Sequence, residues 1–269
     1  MREEQRPFAG VLQAPLPGRV GRPREAGLTM LLDKGLGLAT TGDLLEIGAP
    51  YIDWLKLGFG TAALYGSDLL RAKIALARSF GVEAYPGGTF CEVALHQGAL
   101  SPYLERCHAL GFRWIEVSDG TIDLEPTKRA AAIRAARAAG FKVLTEIGKK
   151  DGRRLAIGLI CEQVARDIEA GADWVIMEGR ESGTGVGLYD QKGRLDEDSL
   201  ERVLEAVPDP GRLVWEAPQK AQQEQLIIRI GPNVNLGNIP PGDLLALEAM
   251  RQGLRGDTFR LALERSETL

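Results

Sequence analysis

Three apolar runs in this chain end alike. Lys142–Lys150 (KVLTEIGKK), Trp174–Glu181 (WVIMEGRE) and Leu213–Lys220 (LVWEAPQK) each reach a glutamate and then a base within four residues. Runs of this length bounded by glycine or proline read as buried strands. Charge at the tip of a buried strand is costly unless it is paired or used. Glu146, Glu178 and Glu216 are hard oxygen donors of the kind that hold Mg²⁺, and Asp33 and Asp119 end two other apolar runs. The competing assignment is a salt-bridge network closing the same strand ends. The bases at or just past run ends, Lys34, Lys56, Lys149, Lys150, Arg180 and Lys220, suit an anionic substrate. Arginine grips carboxylate or phosphate with paired bonds, while lysine acts as a point charge or, with a lowered pKa, as a proton donor. Residues two apart share a strand face, so Glu146 is expected beside Lys150 and Glu178 beside Arg180.

Glycine-rich segments follow some of these runs. Glu181–Gly187 (ESGTGVG) lacks the Walker spacing; it suits an anion cradle, a lid or a plain connection. Tyr85–Thr89 (YPGGT) poses the same choice. Gly253–Thr258 (GLRGDT), with Arg251 and Arg255, lies near the last run, where barrels often bind phosphate; a helix cap is the duller reading.

The elements that must position these residues recur at about 20–40 residues, as βα units do. Besides the three runs above, apolar segments occupy Thr29–Gly35, Asp53–Thr61, Val82–Thr89, Arg113–Thr121 and Asn233–Ile239. Helical spacing falls between them at Ser67–Phe80, Glu125–Ala139, Leu155–Ala170, Asp196–Ala206 and Asp243–Gln252, with Gly81, Gly111, Gly140 and Gly171 placed to close helices. Eight strands alternating with helices predict an α/β fold, a single-domain (β/α)8 barrel with its chemistry at the C-terminal strand ends. The rival, an open doubly wound sheet, lacks its GxGxxG fingerprint after the first strand. Residues 1–26, rich in Arg, Pro and Gly, are expected to form a flexible leader, and residues 27–269 the barrel.

Composition narrows the class. The 269 residues carry 33 basic and 37 acidic side chains, a net charge of −4 that argues against a nucleic-acid partner. No apolar stretch reaches membrane-spanning length. Cys91, Cys107 and Cys161 form no CxxC pair and fit a reducing cytoplasm. His96 and His108, read as falling in one helix-and-loop region, are too few for a zinc site, and no GxSxG elbow occurs. Apolar barrel surfaces often self-associate, so a homo-oligomer is expected.

The segments LLDKG, KLGFGT, YPGGT, EVSDGT, LTEIGKK, MEGRESGTGVGLYD, WEAPQK and GLRGDTF together resemble the phosphosulfolactate synthase family, from about Thr29 to Phe259. The resemblance implies a (β/α)8 barrel and a lyase of the carbon–sulfur class. The reaction implied is Mg²⁺-dependent addition of sulfite to phosphoenolpyruvate, giving (2R)-2-O-phospho-3-sulfolactate. That product opens coenzyme M biosynthesis in methanogens and leads to sulfolactate in some bacteria. With this reaction, Glu146, Glu178 and Glu216 would hold Mg²⁺, joined by Asp33 or Asp119. Lys150, on the face of Glu146, is the first candidate for general acid and Lys149 the second. Arg180, Lys56, Lys34, Lys220 and Arg255 would hold phosphate, carboxylate and sulfite. Two alternatives stand beside it: a Schiff-base aldolase using Lys56 or Lys150, and a non-catalytic, stress-associated interaction protein, since plant heat-stress-associated proteins also resemble this family.

Overall fold

The fourth strand shows how alternation builds the molecule. Trp114 and Glu116 point into a closed interior, while Ile115 and Val117 point outward and pack under helices. The computed structural model describes residues 7–266 and repeats this arrangement eight times. The strands are β1 (Thr29–Asp33), β2 (Trp54–Leu57), β3 (Glu83–Pro86), β4 (Trp114–Ser118), β5 (Lys142–Ile147), β6 (Trp174–Met177), β7 (Leu213–Glu216) and β8 (Leu236–Ile239). All ladders are parallel, in the order β3-β2-β1-β8-β7-β6-β5-β4. β3 and β4 lie side by side at the seam without a ladder, and the Gly88 N–H reaches across it to the Glu116 carboxylate at 2.6 Å. The result is a nearly closed (β/α)8 barrel and one domain.

The helices are α1 (Leu38–Gly48), α2 (Ser67–Ser79), α3 (Gly88–His96), α4 (Leu100–Leu110), α5 (Pro126–Ala138), α6 (Ile157–Ala170), α7 (Glu197–Ala206), α8 (Lys220–Ile230), α9 (Leu244–Arg251) and α10 (Gly256–Ser266). Pro126 opens α5 and the Asp196 side chain caps α7 by accepting from Ser199 N–H, both placed as their chemistry favours. Gly111 and Gly171 close α4 and α6 in the left-handed conformation. The expected third strand is shorter than its apolar run, because Gly88 already starts α3. His96 and His108 sit on two different helices, α3 and α4.

Inside the barrel, Leu28, Met30, Trp54, Tyr85, Trp114, Leu144, Ile176 and Val214 form an apolar plug. Trp54 meets Trp114 edge-to-face at 5.4 Å, and Trp174 at 5.9 Å. This plug is the dry floor beneath the charged strand ends.

Part of the expected leader packs against the N-terminal end of the barrel. Leu16 is buried and donates its N–H to Gln252 O. Arg19 pairs with Glu248, and Arg24 with Asp53, whose carboxylate also accepts from Thr29 N–H. Residues 15–24 are therefore tied to β1, β2 and α9 rather than free, and residues 1–6 lie outside the described residues. Among the described residues no helix is long and apolar enough to cross a membrane.

Candidate active site

The site is built where inward parity carries a charged residue above the plug. Lys56 follows Trp54 by two, Glu116 follows Trp114, Glu146 follows Leu144, Glu178 follows Ile176 and Glu216 follows Val214. All five are buried. One oxygen from each of Glu146, Glu178 and Glu216 lies within 4.8 Å of the others. Glycine lets these tips approach. A β-carbon on Gly148 would fall 2.3 Å from Glu178 Cβ, and one on Gly179 would fall 2.5 Å from Glu216 O.

Lys56 is spent on this cluster. Its Nζ lies 3.1 Å from Glu116, 2.7 Å from Glu146 and 3.0 Å from Glu216. Lys150 Nζ sits 2.8 Å from Glu146 and 3.6 Å from Glu178, and donates to Thr89 Oγ1 at 3.0 Å. Four carboxylates thus face two ammonium groups.

Electrostatics follow from that imbalance. Burial opposes charge on Lys56, but Glu116, Glu146 and Glu216 overrule it and hold the ammonium well above its ordinary pKa. Lys150 is likewise raised, with Glu146 and Glu178 outweighing burial. Burial would raise Glu146, yet Lys150 and Lys56 keep it well below the carboxylate range. Glu178 goes the other way, raised well above that range by burial and then by Glu146 and Glu216. Glu216 is raised mainly by burial, and Glu116 is pushed up to about 7 by burial against the pull of Lys56.

Glu116 therefore makes stability depend on pH. Its folded pKa is raised from the ordinary 4.5 to about 7, so between those values the folded chain holds a proton that the unfolded chain has lost. Glu116 should lower stability by on the order of 3 kcal/mol as pH rises through that window, and Glu178, raised for the same reason, should continue the fall at higher pH. Melting temperatures from pH 5 to 8 in metal-free buffer should drop more steeply for the wild type than for Glu116→Gln; parallel curves would refute the assignment.

Above the cluster opens a cavity of about 320 Å³, lined by the four glutamates, Lys56 and Lys150, with Gly58–Phe59, Gly87–Thr89, Arg180–Ser182 and Asn238 around them. Arg180 is exposed on this rim in a left-handed backbone conformation. Its N–H donates to Glu178 at 2.7 Å and Glu216 at 3.1 Å, so its main chain braces the glutamate cluster.

Several expected residues are not brought here, and for Asp33, Asp119 and Lys149 the reason is strand parity. Leu32 and Met30 take the inward parity of β1, which turns Asp33 outward to a buried pair with Lys73 and to the N–H groups of Gly35 and Leu36. Asp119 likewise follows the inward Glu116 and Ser118 by an odd step, and pairs with Arg129 and Lys149. Lys149, one step from Lys150, points into Asp119, Asp123 and the Ile122 carbonyl. The Arg129 guanidinium joins Asp119 and Asp167 and donates to Glu146 O at 3.0 Å, making this group a support beneath β5. Lys34 pairs with Glu181 at the rim. Lys220 starts α8 rather than ending β7, and it shares Asp257 with Arg255 outside the cavity wall. Arg251 is buried at the opposite end, donating to the carbonyls of Leu28, Pro232 and Val234.

Sequence reasoning missed Glu116 and Asn238. A glutamate at inward parity within RWIEVS was the available signal for Glu116; Asn238, in LGNI, carried none. The glycine run after β6 is anchored: Gln222 donates to Gly183 O and Gly193 O, and Tyr189 OH to Glu216 O.

The donor set fits a hard divalent cation. Glu146, Glu178 and Glu216 offer clustered oxygens, and the buried Glu178 Oε2 makes no hydrogen bond and lies 3.6 Å from Lys150 Nζ. Two positive charges would balance the four carboxylates against Lys56 and Lys150.

Comparison with known proteins agrees with this architecture. Residues 17–257 match the family model for (2R)-phospho-3-sulfolactate synthase (ComA), a span that begins inside the expected leader. The chain is 45% identical over 246 residues to phosphosulfolactate synthase of Methanothermobacter thermautotrophicus, covering 90% of this chain and 95% of that protein. It is 38% identical to phosphosulfolactate synthase of Bacillus subtilis, covering 91% and 97% respectively. Protein HEAT-STRESS-ASSOCIATED 32 of Arabidopsis thaliana is 24% identical, covering 87% and 88%. Among solved structures, 3-hexulose-6-phosphate synthase from Salmonella typhimurium has a TM-score of 0.53 at 16% identity, covering 88% of this chain and 99% of that one; it is similar in fold alone. By its sequence and its barrel, the chain belongs to the (2R)-phospho-3-sulfolactate synthase (ComA) family.

Proposed function

We propose that the protein is a Mg²⁺-dependent phosphosulfolactate synthase, a carbon–sulfur lyase that joins sulfite and phosphoenolpyruvate into (2R)-2-O-phospho-3-sulfolactate. One observation carries this reading beyond family membership: a partly accessible ammonium, Lys150, stands against a cluster of carboxylates in one cavity. Glu146, Glu178 and Glu216 would hold the cation, which would supply charge stabilisation for a developing enediolate.

In the reaction, the sulfur lone pair of sulfite forms a C–S bond at the methylene carbon of phosphoenolpyruvate. The π electrons of the double bond move toward C2 and its carboxylate, and C2 then takes a proton. Lys150 Nζ is the donor. Glu146 and Glu178 keep it charged until the carbanion forms, and Glu146 with Thr89 Oγ1 fixes its direction. Delivery from one fixed ammonium would give C2 a single configuration. Arg180, exposed at the cavity rim, would grip an outer anionic group.

Lys56 has a different part from the one expected of it. With its ammonium satisfied by three carboxylates, it orders the cluster and has no spare bond for substrate. The aldolase alternative needs a neutral lysine, whereas Lys56 and Lys150 are both held charged. The three cysteines, none in a disulfide among the described residues, support a cytoplasmic setting.

The test is consumption of phosphoenolpyruvate with and without sulfite, each with and without Mg²⁺. Loss only when both are added is expected; no turnover at millimolar substrates would reject the reaction and favour a non-catalytic role.

A further inference from the structure

Three non-glycine residues have left-handed backbones among the described residues: Phe59 (φ 57°), Arg180 (φ 59°) and Asn238 (φ 53°). All three line the same cavity above the glutamates. Backbone conformations of this kind cluster where a ligand is held, because the fold must over-determine them.

Asn238 is the most informative of the three. It sits on β8, next to Glu216 on β7, in whose ladder Glu216 faces Gly237. The residue is 5% exposed, and its Nδ2 donates to Arg180 O at 3.3 Å. The reverse amide orientation would set two carbonyl oxygens against each other, so Oδ1 is the free atom. Oδ1 is buried and has no hydrogen-bond partner. A buried acceptor that no protein group serves draws its partner from the cavity it lines, either water or a bound ligand.

The chemistry of the cavity narrows that partner. Phosphoenolpyruvate and sulfite dianion offer acceptors and no donors, so neither satisfies a carbonyl oxygen. A hard cation does, because neutral amide oxygens join carboxylates around such ions. Arg180 links the two groups: its N–H binds Glu178 and Glu216 while its carbonyl binds the Asn238 amide. We propose that Asn238 contributes Oδ1 to the coordination sphere of the divalent cation held by Glu146, Glu178 and Glu216. This inference rests on the cation site of the proposed function and adds a neutral oxygen from β8 to it.

The test is Mg²⁺ binding by isothermal titration calorimetry, without phosphoenolpyruvate or sulfite. Asn238→Gly removes the amide while tolerating the left-handed backbone, and should weaken Mg²⁺ binding roughly tenfold or more. Asn238→Asp keeps an oxygen and loses the Nδ2 donor, and should bind Mg²⁺ at least as tightly as the wild type. If the residue only braced the Arg180 carbonyl, both variants would weaken binding alike, and that result overturns the proposal. Unchanged binding in Asn238→Gly, with its fold verified by circular dichroism and melting, overturns it too, as does a wild type that binds no Mg²⁺ at millimolar concentration. A wild type that binds Mg²⁺ and loses affinity in Asn238→Gly, yet never consumes phosphoenolpyruvate with sulfite, would sink the reaction and leave this assignment standing.

Discussion

Lys150→Ala is expected to lower kcat by roughly a hundredfold or more, the ordinary cost of removing a positioned general acid. The side chain lies beyond β5, its stem over Gly120 and its backbone N–H on Gly120 O, so truncation opens no hole in the barrel core. The change removes the one ammonium on the cavity wall that is not saturated by carboxylates. It also takes from Glu146 the strongest influence keeping that carboxylate ionised, so the loss should exceed that of a bare proton donor. Lys149→Ala is the matched control. Its Nζ points into Asp119 and Asp123, so turnover should stay within several-fold of the wild type. Steady-state phosphoenolpyruvate consumption measures both. Near-normal turnover in Lys150→Ala, or equal losses in the two variants, would remove Lys150 from the role.

The same contrast separates the residues legible in the amino-acid sequence from the rest. The glutamate tips of β5, β6 and β7 were legible because short apolar runs bounded by glycine or proline read as buried strands, where a charge at the tip stands out. Alternation, applied to every strand, excludes Asp33, Asp119 and Lys149, which stand one step from inward residues. Seeking a base within four residues of each glutamate selected the three tips but hid Glu116, which has no base after it in EVSDGT. The partners of the displaced residues come from distant elements: Lys73 from α2, and Arg129 and Asp167 from α5 and α6. No local pattern reports such pairings. Arg180 fails for another reason, because its left-handed backbone ends the alternation on which its pairing with Glu178 depended.

Lys56→Met should be the most destabilising single change at the site. Methionine nearly preserves the stem and fits an apolar plug, so the effect isolates the charge. Without the ammonium, Glu116, Glu146 and Glu216 lose the counter-ion that lies within 3.1 Å of each. Breaking a buried ion pair by removing one partner costs about 3–5 kcal/mol, because the remaining charge stays desolvated. Lys150 touches only Glu146 and Glu178, so it cannot take over. The remaining response is protonation, and this gives the effect its pH sign. At pH 8 the carboxylates must either stay charged in a dry site or take protons against the bulk pH, so the full loss should appear. Near pH 5 protons are available at little cost and the loss should shrink. Urea denaturation of the wild type and Lys56→Met at both pH values, in metal-free buffer, measures the difference. An equal loss at the two values would mean that Lys56 acts by packing, and wild-type stability at pH 8 would mean that the cluster needs no counter-ion. A divalent cation, placing two positive charges among the same carboxylates, should restore part of the lost stability, and more of it at pH 8 than at pH 5, where protons compete for the oxygens.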